Sequence, residues 1–301
     1  MFKNAQIYRI SPEWKLSREE LEASLASRSF SPCATLEKST AGWVAPAAAP
    51  DQLVHEVDGK WLVTLCEEFR MLPSSVVKQE AEERAVEIEE QQGFRPGRKQ
   101  MKELREQVEQ ELLPRAFTRR RHTRAWIDVA NGWLAIDAPS RSKAESVLEV
   151  LNNSLETFPV TLTRTQTTPV AAMTDWLAGE EAPEGFSIDQ DCELRAITED
   201  KATVKYARHT LEGDDIRMHL EAGKLPVRLA MTFNDRISFV LTENLEIKRI
   251  TFLDLIQEAL DESGAEDAEA LLNAEFALVT AELGLLFDAL VQAMEGLVEK
   301  A

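Results

Sequence analysis

Two dipeptides limit what this chain can fold into more than any other feature. Asp58-Gly59 separates Leu53-Val54-His55-Glu56-Val57 from Trp61-Leu62-Val63-Thr64-Leu65. Asn131-Gly132 separates Trp126-Ile127-Asp128-Val129 from Trp133-Leu134-Ala135-Ile136. Tight two-residue turns need positive φ, which Asn, Asp and Gly adopt at the least steric cost. Each dipeptide therefore predicts an antiparallel hairpin, and each hairpin precedes a helical stretch, at 75–92 and 142–158. The same order twice predicts a repeated hairpin–helix unit within an α+β fold.

An insertion lies between the two repeats. Helical sequence runs to Gln92, Gly93-Phe94-Arg95-Pro96-Gly97 interrupts it, and a second helix is predicted over 98–113 until Pro114 stops it. Gly and Pro at that density end one helix and permit a tight reversal. The predicted product is an antiparallel helical hairpin roughly 25 Å long at about 1.5 Å per residue. Its residues are mostly charged, so the hairpin is expected to project as a tip.

Elsewhere the reading is coarser. Residues 5–10 read as a strand. Ser17 and Glu20 have the spacing of a capping box, with Leu21 and Leu25 four apart on the helix that follows. Strands are predicted over 202–208 and 227–233, a hairpin over 236–242 and 246–252 around Glu243-Asn244, and a short helix over 214–221 closed by Gly223. Two long helices are expected to finish the chain. Leu272, Phe276, Val279, Leu283, Leu286, Leu290 and Leu297 form an apolar stripe interrupted by Glu282, Asp288 and Glu295. Each such carboxylate would cost about 2.5 kcal/mol or more in lipid, so an amphipathic core helix is expected ahead of a membrane span or a dimer-forming helix.

The net charge of −19 argues at first against a polyanionic ligand, but the charges are segregated. From Gly93 to Arg124 stand Arg95, Arg98, Lys99, Lys102, Arg105, Arg115, Arg119, Arg120, Arg121 and Arg124, opposed by Glu103, Glu106, Glu109 and Glu111, a net of +6. From Asp254 to Ala301 twelve carboxylates face only Lys300, a net of −11. Such asymmetry suits a basic face for a polyanion on an acidic body, and it equally suits a solvated basic helix. Cys33, Cys66 and Cys192 are odd in number and far apart, which argues against a disulfide framework. The opening residues carry no apolar run of the secretory kind, so a cytoplasmic setting is expected.

Motifs for chemistry are scarce. Glu221-Ala222-Gly223-Lys224-Leu225 has the lysine of a phosphate-binding loop without its glycine spacing or hydroxyl, and no Gly-x-Gly-x-x-Gly occurs. His55, His122, His209 and His219 form no zinc-type pair. Cys33 or Cys66 as a nucleophile ranks below a buried small hydrophobe. Asp214-Asp215 and Glu266-Asp267 could hold Mg2+ in a nuclease, yet they sit at helix starts, where carboxylates favour the dipole. No cofactor, metal site or catalytic residue is expected, and the chain is read as a non-enzyme.

The stretch from Leu112 to Arg124 is the richest in function. Arginine binds phosphate through two parallel charge-assisted hydrogen bonds and stays protonated near neutral pH. In a strand, Arg119 and Arg121 would face one side, with Arg120 and Arg124 on the other. Phe117 could stack on a base or plug a pocket; by pattern alone a core phenylalanine ranks first.

Several blocks resemble the RdgC family of recombination-associated proteins. They are Gly42-Trp43-Val44-Ala45-Pro46, Met71-Leu72-Pro73-Ser74-Ser75-Val76-Val77-Lys78-Gln79, Leu112-Leu113-Pro114-Arg115-Ala116-Phe117, Trp126-Ile127-Asp128-Val129-Ala130-Asn131-Gly132 and His219-Leu220-Glu221-Ala222-Gly223-Lys224, in the family's order from Phe2-Lys3-Asn4 onward. The resemblance implies a ring-shaped homodimer enclosing double-stranded DNA without sequence preference, limiting access of the RecA recombinase, with no enzymatic activity and no membrane. It implies a centre domain (1–74 and 115–165), a helical-hairpin tip (75–114) and a base domain (166–301), with a nucleoid-associated location. It assigns a dimer gate to Phe117 and a basic contact in the base to Arg208. The DNA-contacting set becomes Lys78, Arg95, Arg98, Lys99, Lys102, Arg115, Arg119, Arg120, Arg121, Arg124, Arg208 and Lys224. Arg119-Arg120-Arg121 is more basic than the family's pattern. Other function classes are a metal-dependent nuclease and a protein-only interaction module that uses the acidic C-terminal region.

Overall fold

A computed structural model describes residues 2–46, 52–211, 213–253 and 267–298. The fold is α+β, with two antiparallel sheets. In chain order the first elements are β1 (Gln6–Ile10), α1 (Arg18–Ala26), β2 (Ser39–Val44), β3 (His55–Val57), β4 (Lys60–Arg70), α2 (Ser74–Gln92) and α3 (Arg98–Leu112). A 3-10 turn at Leu113–Arg115 leads into β5 (Thr118–Asp128), β6 (Trp133–Ile136), α4 (Arg141–Ser154), β7 (Val160–Leu162) and α5 (Pro169–Gly179). The last elements are β8 (Phe186–Ala196), β9 (Thr203–Tyr206), α6 (Asp214–Glu221), β10 (Lys224–Phe233), β11 (Ile237–Thr242), β12 (Ile247–Phe252) and α7 (Ala268–Ala293). One sheet has the order β2-β4-β5-β6-β1-β7, with β3 also on β4; the other runs β12-β11-β10-β8-β9.

Contacts group the chain into two compact units. One comprises Met1–Leu25, Ala45–Val63 and Thr123–Ala301; the other comprises Ala26–Val44 and Thr64–His122. In the larger unit, α7 supplies Phe276, Val279, Leu283, Leu286 and Leu290 to the core, as the stripe predicts. Phe287 stacks on Trp126 at 5.7 Å and meets Trp133 edge-on at 5.5 Å, and the Trp133 indole donates to Asp288 at 3.1 Å. Glu282, buried in the same helix, accepts from Arg236 at 2.6 Å. No helix among the described residues is long and apolar enough to cross a membrane.

In the smaller unit, α2 ends on Gly93 at φ 81, whose amide returns to the Glu89 carbonyl. The two helices of the hairpin share a thin apolar seam of Val77, Ala81, Ala85, Leu104 and Val108. Ion pairs cover its edges: Arg84 reaches Glu111 at 2.7 Å and Glu80 at 3.0 Å. Gly42 on β2 is a different kind of glycine. A Cβ there would stand 2.5 Å from the Phe30 Cα, so any side chain would force two backbones apart.

Turn chemistry holds at one hairpin and is modified at the other. Asp58 and Gly59 have φ of 51 and 72, and Val57 pairs with Lys60 across them. At the second hairpin Asp128 pairs with Trp133, so the loop has four residues instead of two. The Asp128 carboxylate accepts from the Asn131 amide at 3.0 Å and its side chain at 2.9 Å, and only Gly132 takes positive φ. The capping box forms: the Ser17 amide donates to Glu20 at 2.8 Å and the Glu20 amide to the Ser17 hydroxyl at 3.2 Å. Several boundaries differ from the sequence reading. β9 stops at Tyr206, β10 begins at Lys224, α4 ends at Ser154, and α5 and β8 were not anticipated. The first of the two expected terminal helices lies outside the described residues.

Candidate nucleic-acid interface

β4 begins as an apolar strand and closes on Glu67-Glu68-Phe69-Arg70. Glu67 and Glu68 are only 6% and 3% exposed. Carboxylates so placed need cationic partners, because a buried charge left unpaired is costly. Neighbouring β5 supplies them. Arg120 Nε donates to Glu68 at 2.7 Å, and Arg121 donates to Glu67 through Nε at 3.1 Å and Nη2 at 2.5 Å. Consecutive strand residues face opposite sides, and the two guanidinium groups accordingly find different rings, Phe30 at 5.0 Å for Arg120 and Phe69 at 5.5 Å for Arg121. The Arg120 hydrogen bond, aided by the Cys33 amide at 2.8 Å, holds the Glu68 carboxyl below the usual range. The same bond raises the Arg120 pKa.

This arrangement alters the charge count read from the sequence. Arg119, Arg120 and Arg121 together with Glu67 and Glu68 carry a net of +1. Arg119 is exposed, and no carboxylate among the described residues stands in ion-pair reach of it.

Arg70 plays another part. It donates to the carbonyls of Glu37 at 3.1 Å, Leu113 at 3.2 Å and Ala34 at 3.2 Å. It thereby ties the loop after Cys33 to the 3-10 turn that precedes β5. The Met71 amide donates to the Phe117 carbonyl at 2.7 Å, which fixes the backbone there. The Phe117 ring is 81% exposed, so the reading of a core phenylalanine is corrected. The backbone leaves the 3-10 turn extended at Ala116 and enters β5 at Thr118, with Phe117 between them.

The helical hairpin carries further candidates. Lys78 lies on α2, Arg95 in the connecting loop, and Arg98, Lys99 and Lys102 on α3, all exposed. Arg95 pairs with Glu82, while Lys99 and Lys102 meet Glu103 at 3.9 Å and Glu106 at 3.7 Å in exposed pairs one helical turn apart. Pairs of this kind are weak and yield readily to a competing anion. Arg115 is exposed on the 3-10 turn.

The larger unit holds the rest. Arg124 is half-buried on β5. Arg208 follows β9 at φ 53, its amide donating to Asp191 at 2.9 Å and its side chain exposed. Lys224 opens β10, half-buried, with its ammonium 2.9 Å from His219 Nδ1. Asp214 and Asp215 occupy the first turn of α6, and Asp267 caps α7 by accepting from the Ala270 amide at 2.8 Å. Glu266 lies outside the described residues. Among the described residues no three His, Cys, Asp or Glu side chains converge as metal ligands. The three cysteines are free, and burial pushes the Cys192 thiol up to about 12.

The sequence reading missed Glu67, Glu68, Arg70 and Phe30. A legible signal existed for the first two: adjacent glutamates near the end of an apolar strand call for cations from another strand.

Comparison with known proteins places this chain in a family. Residues 1–297 match the family model described as "Putative exonuclease, RdgC". A protein of Cupriavidus necator named recombination-associated protein RdgC is 50% identical over 295 residues, covering 98% of each chain. One of the same name from Dechloromonas aromatica is 49% identical over 304 residues, covering all of this chain and 99% of its own. A third, from Janthinobacterium, is 49% identical over 299 residues and 99% of both chains. With a match along nearly its whole length, the chain belongs to the RdgC family of recombination-associated proteins.

Proposed function

We propose that this chain binds double-stranded DNA without reading its sequence, encircles it as a ring-shaped homodimer, and limits access of the RecA recombinase to it. The observation that carries this reading is the set of exposed cations in the smaller unit, Lys78, Arg98, Arg115 and Arg119, together with the exposed Phe117 ring of the same unit. Such groups suit phosphate oxygens, which position a protein on a duplex and carry no base information. Phe117 is the proposed dimer gate. Centre, tip and base domains, a cytoplasmic nucleoid-associated location and DNA contacts from Arg124, Arg208 and Lys224 belong to the same proposal. A closed ring concentrates positive potential in its hole while its outer surface stays acidic and soluble. Retention by topology also lets each contact be weak and mobile.

The test is affinity for several unrelated duplexes across a salt series, with linear duplex, closed circular duplex and single strands compared. Equal affinity among sequences, a steep salt dependence and slower loss from closed circles are expected. Strong discrimination among sequences overturns the reading, and loss of all duplex binding at low salt favours a protein-only module acting through the acidic C-terminal region. The exonuclease activity attributed to the family model favours a second reading, a nuclease, here taken as metal-dependent. Incubating end-labelled duplex with Mg2+ or Mn2+ decides that point: appearance of labelled nucleotides replaces the passive binder.

A further inference from the structure

The two strand orders end on β2, β7, β12 and β9. An end strand presents a row of backbone donors and acceptors to whatever lies beside it, and proteins seldom leave such a row bare. Three of these ends are met by other segments of the chain. On β2 the Trp43 amide donates to the Arg28 carbonyl and the Trp43 carbonyl accepts from the Phe30 amide, both at 2.9 Å. Beside β12, Ala5 and Ile247 exchange backbone bonds at 2.7 and 3.0 Å, and the Ile250 amide donates to the Lys3 carbonyl at 2.9 Å. β7 continues to Arg164, whose carbonyl accepts from the Val298 amide at 3.0 Å. Only on β9, in the larger unit, does no backbone group among the described residues bond the outer side.

Register shows which groups are bare. The Ala196 amide donates to the Ala202 carbonyl at 2.9 Å, and from that pair the antiparallel alternation turns the backbone groups of Val204 and Tyr206 inward to Leu194 and Cys192. The amides and carbonyls of Thr203 and Lys205 therefore point away from β8. Both residues are exposed, while Val204 and Tyr206 are half-buried on the other face of the sheet. Two bare residues separated by one are self-complementary about a two-fold axis through Val204. Thr203 of one copy then exchanges both backbone bonds with Lys205 of the other, and the reverse. The two Val204 side chains meet in a pair without hydrogen bonds, Cα atoms about 4.5 Å apart, each diagonal to the Tyr206 of the opposite copy. An axis through Lys205 would instead set lysine against lysine, which is unfavourable. A lysine at mid-edge usually deters pairing altogether; here it deters one register and permits the other.

We propose that β9 pairs antiparallel with β9 of a second copy, joining the two five-stranded sheets into one across the two-fold axis. This rests on the homodimer reading above: a ring of two copies needs two contacts, and the gate at Phe117 is one. The test uses the full chain. Val204→Cys, oxidised with glutathione disulfide, should give a covalent dimer on a non-reducing gel, because the Cα separation at that pair suits a disulfide. Thr203→Cys should not, since its counterpart in the other copy is two residues away along the strand, and the parent with its own cysteines is the blank. Lys205→Pro removes an outward amide from each copy and leaves the bonds to β8 intact. It should raise the dimer dissociation constant by about thirtyfold, the worth of two hydrogen bonds, in sedimentation equilibrium. Where proline disturbs the fold, the cysteine variants still decide. A dimeric parent whose Val204→Cys variant gives no covalent dimer overturns the pairing, leaves the edge to a strand of another protein and spares the ring. Equal crosslinking at Thr203→Cys, or an unchanged constant for a folded Lys205→Pro, does the same. A parent that stays monomeric at every concentration overturns the ring and the pairing together.

Discussion

Replacing Glu67 and Glu68 together by glutamine should strengthen duplex binding and steepen its salt dependence. The two carboxylates hold Arg120 and Arg121 at hydrogen-bonding distance, so they offset two of the three positive charges at the start of β5. Glutamine keeps the shape and an acceptor oxygen for the Cys33 amide while removing the negative charge. Each cation released to a phosphate adds about 0.9 to the slope of log affinity against log salt, or about 1.8 for both. Between 0.1 and 0.2 M salt the variant should then lose about 3.5-fold more affinity than the parent chain. Fluorescence anisotropy with a labelled duplex at six or more salt concentrations measures the slope, and far-ultraviolet circular dichroism checks the fold. Arg119→Gln provides the internal standard: it should lower the slope by about 0.9, whereas Arg120→Gln in the parent should lower it less. If the double variant keeps the parental slope, or Arg120→Gln matches Arg119→Gln, then the glutamates do not withhold these arginines from DNA.

Phe117→Ala should leave the stability of the chain within about 0.5 kcal/mol, since the ring is 81% exposed, yet lower dimerisation and duplex affinity. Sedimentation velocity and anisotropy on one sample check both, and unchanged values remove Phe117 as the gate. Phe287→Ala opens a cavity between two tryptophans and should destabilise the larger unit by about 4 kcal/mol, measured as a shift in the urea midpoint followed by tryptophan emission. For pH, the Glu68 carboxyl titrates lower in the folded chain than when unfolded. Its contribution is therefore complete above the ordinary glutamate value of about 4.3 and fades as pH falls through the lower folded value. Thermal melts from neutral pH downward should show a steeper acid loss for the parent than for Glu68→Gln; parallel curves would count against it.

What the sequence disclosed follows from the range of the interactions involved. The Asp58-Gly59 turn, the Ser17–Glu20 box and the Gly93 reversal depend on residues within a few positions of each other, and all three form as read. α5 carried a comparable signal, Thr168 capping with Pro169 in the first turn, and was passed over. β8 carried a signal too: Phe186, Ile188, Cys192, Leu194 and Ala196 alternate with Ser187, Asp189, Asp191, Glu193 and Arg195, with Gln190 the one polar residue on the apolar side. In the candidate site, the arginines stood out as a run. Their partners did not, because Glu68 and Arg120 are 52 residues apart and meet only through the pairing of β4 with β5.

The grip of Arg70 on four carbonyl groups, those of Cys33, Ala34, Glu37 and Leu113, divides two quantities that are often treated as one. Carbonyls are dipoles, so they occupy four of its five donors and leave its full unit charge uncancelled, unlike the carboxylates facing Arg120 and Arg121. A side chain held this way keeps one N–H for a phosphate and cannot offer the two-pronged grip of a free guanidinium. Its field still reaches outward over roughly a Debye length and draws an approaching polyanion inward. Arg70 should thus govern how fast a nucleic acid arrives, with little say in how long it stays.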